Sequence, residues 1–241
     1  MKGIGFDSWR RVGTVLPAIK VYNTREVDEL ILLDIAATGE ERDPDYEAIC
    51  EYCAESFVPL TFGGGIRTLN QIRELLRSGA DKVSINSAAY ESPTLIRDAA
   101  RRFGSQCVVV SIDARKKEDG TYECFSHSGS RPTGRKPERW AQEVESNGAG
   151  EILITSIERD GTMEGYNIDL IRRVAGAVRI PVIASGGAGN YQHMVEALKL
   201  GRASAVAAAS MFHFTQQTPG EAKQHLARHG ILVRNVHAGL L

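Results

Sequence analysis

The 241-residue sequence predicts an α/β fold, a (β/α)8 TIM barrel of two half-barrel repeats, and three observations predict it. Short β-branched runs alternate with amphipathic stretches, the pattern of parallel βα units rather than hairpins. The pattern repeats after 122 residues: Glu29-Leu-Ile-Leu-Leu matches Glu151-Ile-Leu-Ile-Thr, and Pro59-Leu-Thr-Phe-Gly-Gly-Gly65 matches Pro181-Val-Ile-Ala-Ser-Gly-Gly187. In both copies a strand ends in glycines directly before a helix.

Taken in order, the strands are expected at Glu29–Ile35, Val58–Phe62, Lys82–Ile85, Cys107–Asp113, Glu151–Ser156, Val182–Ala184 and Ser204–Ala208. The helices are expected near Leu16–Asn23, Asp45–Ser56, Leu69–Ser78, Pro93–Phe103, Pro137–Asn147, Ile168–Val178, Tyr191–Leu200 and Gly220–His229. Gly79, Gly104, Gly148 and Gly201 follow their helices where a left-handed C-terminal residue is wanted. Eight helices but seven strands leave the ring one strand short, and the first readable element is a helix. A strand upstream of Met1 is therefore expected, unless residues 1–6 or 231–235 occupy the gap.

A hydrophobic content of 42% is enough for one buried core across residues 1–241, and the formal net charge of −1 argues against nucleic acid as the main partner. No apolar run approaches the roughly 18 to 20 residues of a membrane span, and no signal-peptide pattern opens the chain, so the cytoplasm is the default compartment. Cys50, Cys53, Cys107 and Cys124 are too few for a disulfide scaffold at this length. Cys50 and Cys53 form a C-x-x-C inside a helical-looking run, without a second pair or nearby His to complete a metal site.

The glycine-rich strand ends, 62–67 and 184–189, let backbone N–H groups approach a phosphate. The next strand of each half ends in a second small turn, Ile85-Asn86-Ser87-Ala88 and Ala208-Ala209-Ser210-Met211. Paired loops after consecutive strands form the usual barrel phosphate cradle. Two copies predict two grips, one for each end of an elongated bis-phosphorylated substrate, and the turn Asp160-Gly161-Thr162 adds a donor beside the second. Thr155 and Ser185, at strand ends, join the substrate-binding candidates.

Asp113 closes the apolar run Cys107–Ile112, so it should emerge at the C-terminal mouth between the grips, where desolvation can tune a carboxylate for acid/base work. A structural or capping Asp is the bland alternative, and Asp34 is a weaker candidate by the same position. At the opposite end Glu29, Lys82 and Glu151 each open a strand. They predict either a closing salt-bridge layer or a gate to a passage through the barrel.

Asp28–Asp34, Gly63–Arg67, Gly79–Ala89, Arg102–Gln106, Gly148–Thr162 and Ala184–Gly189 together resemble the cyclase subunit of imidazole glycerol phosphate synthase, across essentially the whole chain. That resemblance implies an ammonia-dependent lyase/cyclase of histidine synthesis, acting in a heterodimer with a glutaminase subunit and using no cofactor or metal. Ammonia would cross the barrel and attack a bis-phosphorylated ribulosyl intermediate. Imidazole glycerol phosphate and an aminoimidazole carboxamide ribonucleotide would be the products. Asp113 matches the catalytic acid/base aspartate. Gly65, Asn86 and Ser87 match one phosphate site; Asp160, Gly161, Gly187, Ala209 and Ser210 match the other. Glu29, Lys82 and Glu151 match three of four residues of an ammonia gate. The family's second catalytic aspartate and the gate arginine, both on its first strand, have no counterpart here. The segment 6–17 resembles instead paralogues associated with surface-polysaccharide biosynthesis, thought to feed ammonia to a separate sugar amidotransferase.

Overall fold

The computed structural model describes residues 2–10 and 13–234. A hairpin, β1 (Lys2–Ile4) and β2 (Asp7–Arg10), leads into α1 (Val15–Thr24), β3 (Leu30–Leu33), α2 (Tyr46–Glu55), β4 (Leu60–Gly63), α3 (Leu69–Arg77) and β5 (Lys82–Ile85). Then come α4 (Ser87–Glu91), α5 (Thr94–Phe103), β6 (Val108–Lys116), β7 (Tyr122–Ser126), β8 (Arg131–Pro132), α6 (Pro137–Ser146) and β9 (Glu151–Ser156). The chain continues through α7 (Ile168–Ala175), β10 (Val182–Ser185), α8 (Tyr191–Lys199), β11 (Ala205–Val206), α9 (Ser210–Phe214) and α10 (Pro219–Arg228).

The seven expected strands are all present and run parallel in the order β11-β10-β9-β6-β5-β4-β3. They curl into a TIM-type α/β barrel. The curl is visible at its floor, where Lys82 Nζ on β5 reaches both Glu29 Oε2 at 2.9 Å and Glu151 Oε1 at 2.7 Å. Val109, Leu153 and Ile183 pack inside the sheet with Ile31 and Ala207. A larger apolar layer, including Ile72, Leu75, Ile96, Trp140 and Ile154, fills the space between sheet and helices.

Among the described residues no strand pairs with the outer edge of β3 or of β11. Burial tracks this, since β6 is buried from Val108 to Ala114 while Leu33 on β3 is 47% exposed. The helical layer nevertheless meets across the gap: Tyr22 Oη lies 3.3 Å from His213 Nε2, and Lys223 Nζ pairs with Asp28 at 2.6 Å. Neither candidate filler within the described residues pairs with β3 or β11. Residues 2–4 pair antiparallel with β2, and Gly5 N donates to Asp160 O at 2.8 Å beside β9 instead. Residues 231–234 form no strand; Arg234 there donates to Asp28 at 2.6 Å and to Val27 O at 2.8 Å. Residues 1 and 235 lie outside the described residues.

The 122-residue repeat extends to the helices and their caps. The helices α1, α2 and α3 recur as α6, α7 and α8. Asp45 and Asn167, then Thr68 and Asn190, accept the backbone N–H three residues on, which satisfies an otherwise orphaned donor at each helix start. The hairpins β1–β2 and β7–β8 are the same element in the two halves. Both tips carry consecutive left-handed residues, Gly5 (φ 59°) and Phe6 (φ 65°), His127 (φ 51°) and Ser128 (φ 54°).

Several details differ from the expectation, among them the short helices α4 and α9, which are additional to the eight expected. The hairpins are additional, their strands of two to five residues being too short to show alternation. The strand after Cys107 runs on to Lys116 because β7 pairs with its far end, and β11 shrinks to two residues with β10 as its partner. Gly79, Gly104 and Gly148 have positive φ, but Gly201 does not; a side chain there would meet Ala197 O at 2.5 Å, so close approach explains that glycine.

Candidate active site

Asp113 sits at the mouth, 9% exposed, its backbone between Thr155 of β9 and Phe125 of β7. Alternation along β6 puts Val109, Ser111 and Asp113 on the inner face, so the carboxylate is delivered into the barrel by the strand's own period. Asn86 Nδ2 donates to Asp113 Oδ2 at 2.9 Å, and Ser111 Oγ makes a longer contact to Oδ1 at 3.5 Å. Burial, helped by the charge of Asp160, pushes the Asp113 carboxyl up to about 7, against the opposing pull of the Ser111 and Asn86 bonds. A carboxyl titrating there can both give and take a proton near neutrality.

One cavity of about 1920 Å³ joins this mouth to the floor and extends to the gap between β3 and β11, where Tyr22, Lys223 and Arg234 line it. The first grip faces it with Gly64, Gly65, Asn86 and Ser87; the second with Ser185, Gly187, Ala209 and Ser210. Thr155, Asp160 and Gly161 line the wall between them. Asn86 (φ −120°, ψ −86°) and Ala209 (φ −133°, ψ −60°) take the same uncommon backbone, each starting a five-residue helix. Packing also accounts for the glycines: a side chain at Gly64 would lie 2.2 Å from Asp34 O, and one at Gly187 2.2 Å from Gly165 O. The Ser210 hydroxyl is buried and, like those of Ser84 and Ser156, finds no hydrogen-bond partner among the described residues.

In the turn after β9, Asp160 N bonds to Ser156 O and Thr162 N to Arg159 O, so any donor offered there is the amide of Gly161. Gly3 backbone packs on Gly161, leaving no room for a side chain. Asp34 faces the cavity but serves its own loop, accepting from Ala36 N and Ala37 N at 3.1 Å and pairing with Arg42 at 3.2 Å. The C-x-x-C lies on α2 as expected, and burial pushes the Cys53 thiol up to about 11, away from thiolate chemistry.

At the floor Lys82 is mostly buried between its two carboxylates. Burial alone would lower its pKa, but the hydrogen bonds to Glu151 and Glu29 win and hold the ammonium above its ordinary range. Glu29 and Glu151 line the floor end of the cavity, and Ile31, Leu153 and Ile183 line its middle. Two partners of this site were not read from sequence. Ser111 shares the inner face with Asp113 two residues on and was legible from strand period, whereas His127, whose N–H donates to Ser87 Oγ at 2.9 Å, depends on the unforeseen hairpin.

Among the described residues no helix is long and apolar enough to cross a membrane. A family model described as "Histidine biosynthesis protein" matches residues 1–218.

Proposed function

The chain belongs to the histidine biosynthesis protein family, and from that premise we propose that it is the ammonia-dependent cyclase subunit of imidazole glycerol phosphate synthase. The observation that carries this reading is the buried carboxyl of Asp113, bonded to Asn86 of one of two matched loop pairs and pushed up to about 7 by burial. A bis-phosphorylated substrate spanning the grips would present its central carbons to that carboxyl. Asp113 would then move the proton as ammonia adds and the ring closes, and fixed geometry would supply the larger part of the acceleration.

Ammonia is mostly protonated at neutral pH, so an enclosed supply is an advantage. The apolar middle of the cavity, between Glu151 at the floor and Asp113 at the mouth, suits passage of neutral ammonia from a glutaminase docked beneath Glu29, Lys82 and Glu151. The bis-phosphorylated ribulosyl intermediate and an ammonium salt, incubated with the protein, should yield imidazole glycerol phosphate. Added glutaminase and glutamine should replace the ammonium salt.

A second reading, an ammonia-conducting partner of a sugar amidotransferase in surface-polysaccharide synthesis, is favoured by the segment 6–17 and its likeness to such paralogues. Glutaminase binding without any cyclisation would select it.

A further inference from the structure

We propose that His127 is a positioning residue of the first grip, its backbone N–H fixing the Ser87 hydroxyl as a donor and its imidazole holding the tip in place through Ser126 and Arg131. The proposal rests on the phosphate reading of the two grips. The hairpin β7–β8 folds back over the mouth and is pinned there twice, by His127 N donating to Ser87 Oγ at 2.9 Å and by Ser128 Oγ donating to Ile35 O at 3.0 Å. Both tip residues hold left-handed φ without being glycine, a conformation that persists only when surroundings enforce it and that concentrates at functional sites.

The first bond has a chemical consequence. A hydroxyl that accepts from a backbone N–H keeps its own hydrogen for another acceptor. Asn86 Oδ1 is only a distant candidate at 3.5 Å, so a phosphate oxygen in the grip is the better one. His127 lines the cavity beside Ser87 and Glu91. Ser126 Oγ lies 3.1 Å from Nδ1, while Arg131 Nη1 at 3.2 Å and Glu91 Oε1 at 3.6 Å flank Nε2. Arg131 thus adds positive potential behind the ring, where Arg42 and Arg67, the other guanidinium groups lining this end, are already paired with Asp34, Glu40 and Asp43.

The repeat makes the choice of residue informative. The matching tip of β1–β2 bears Gly5 and Phe6, and there Gly5 N donates to Asp160 O where His127 N donates to a serine hydroxyl.

Inorganic phosphate titrated into the ¹⁵N-labelled protein reports both grips separately, through the amides of Gly64, Gly65 and Ser87 and those of Gly186, Gly187 and Ser210. His127→Asn keeps a residue tolerant of left-handed φ, and Arg131→Gln alters an exposed position that folding can spare. His127→Asn, which frees the tip from Ser126 and Arg131, should weaken phosphate at the first set of amides by ~10-fold, the scale of one lost hydrogen bond. Arg131→Gln should weaken it less, and the second set should titrate as before in both. Unchanged first-site affinity in both variants, with the second site intact, would overturn this proposal alone. Absence of saturable shifts at both sets in the unaltered protein would overturn the phosphate reading and the proposal with it.

Discussion

Replacing Asp113 with Asn should stabilise the protein at alkaline pH and leave it nearly unchanged in acid. The carboxyl is raised from 3.8 to about 7 chiefly by burial, so the folded state holds its proton more tightly than the unfolded chain. Between those values the folded state binds more protons, and stability must fall as pH rises through that window. Below about pH 4 both states are protonated; above about 7 the full cost of an ionised buried carboxylate is present. At about 1.4 kcal/mol per pH unit the ceiling is roughly 4 kcal/mol. Asn still accepts from Asn86 Nδ2 but has its own buried amide to satisfy, so a gain of about 2 to 4 kcal/mol at pH 8 is expected. For a chain of this size that is a rise in Tm of roughly 5 to 15 °C. Calorimetric melting of both proteins from pH 4 to 8 measures it. A difference in Tm that does not grow with pH, or a variant less stable at pH 8, would refute the assignment of desolvation as the dominant cause.

Lys82→Met leaves Glu29 and Glu151 facing each other at the floor without their shared cation. We expect a loss of about 1 to 3 kcal/mol in urea unfolding, below the full buried-pair value because Glu29 is half exposed, and a fall in glutamine-driven activity exceeding any fall in ammonia-driven activity. Gly187→Ala puts a methyl 2.2 Å from Gly165 O at φ 106° and should cost ~3 kcal/mol or more, whereas Gly120→Ala, at φ 81° in open space, should cost about 1. Equal losses for the two glycines would show that close backbone approach does not set the second grip.

The barrel was legible in the sequence where each strand is buried on both faces and capped helices separate the strands. Lys82–Ile85 and Glu151–Ser156 were bounded to the residue because each apolar run opens on a charge, Lys82 or Glu151, and closes at a polar residue, Asn86 or Ser156. The hairpins were not, since short antiparallel pairs take their stability from tertiary contacts such as His127 with Ser87 rather than from any periodic pattern. Asp113 was placed by strand alternation, but its partner Asn86 was read only as a phosphate residue. That a residue at the end of β5 reaches the end of β6 follows from register, which local sequence does not encode. The floor cluster was predicted as a layer, and its geometry, one lysine between two glutamates, came from the curl of the sheet.

The central claim, acid/base catalysis by Asp113 between two phosphate grips, is met most directly by ammonia-driven turnover of the bis-phosphorylated intermediate, measured with substrate affinity in the unaltered protein and in Asp113→Asn. Turnover should fall by ~10²-fold or more in the variant while affinity stays within a few-fold, because the grips remain and only the proton-transfer group is lost. Turnover that survives the substitution, at unchanged affinity, would contradict the account.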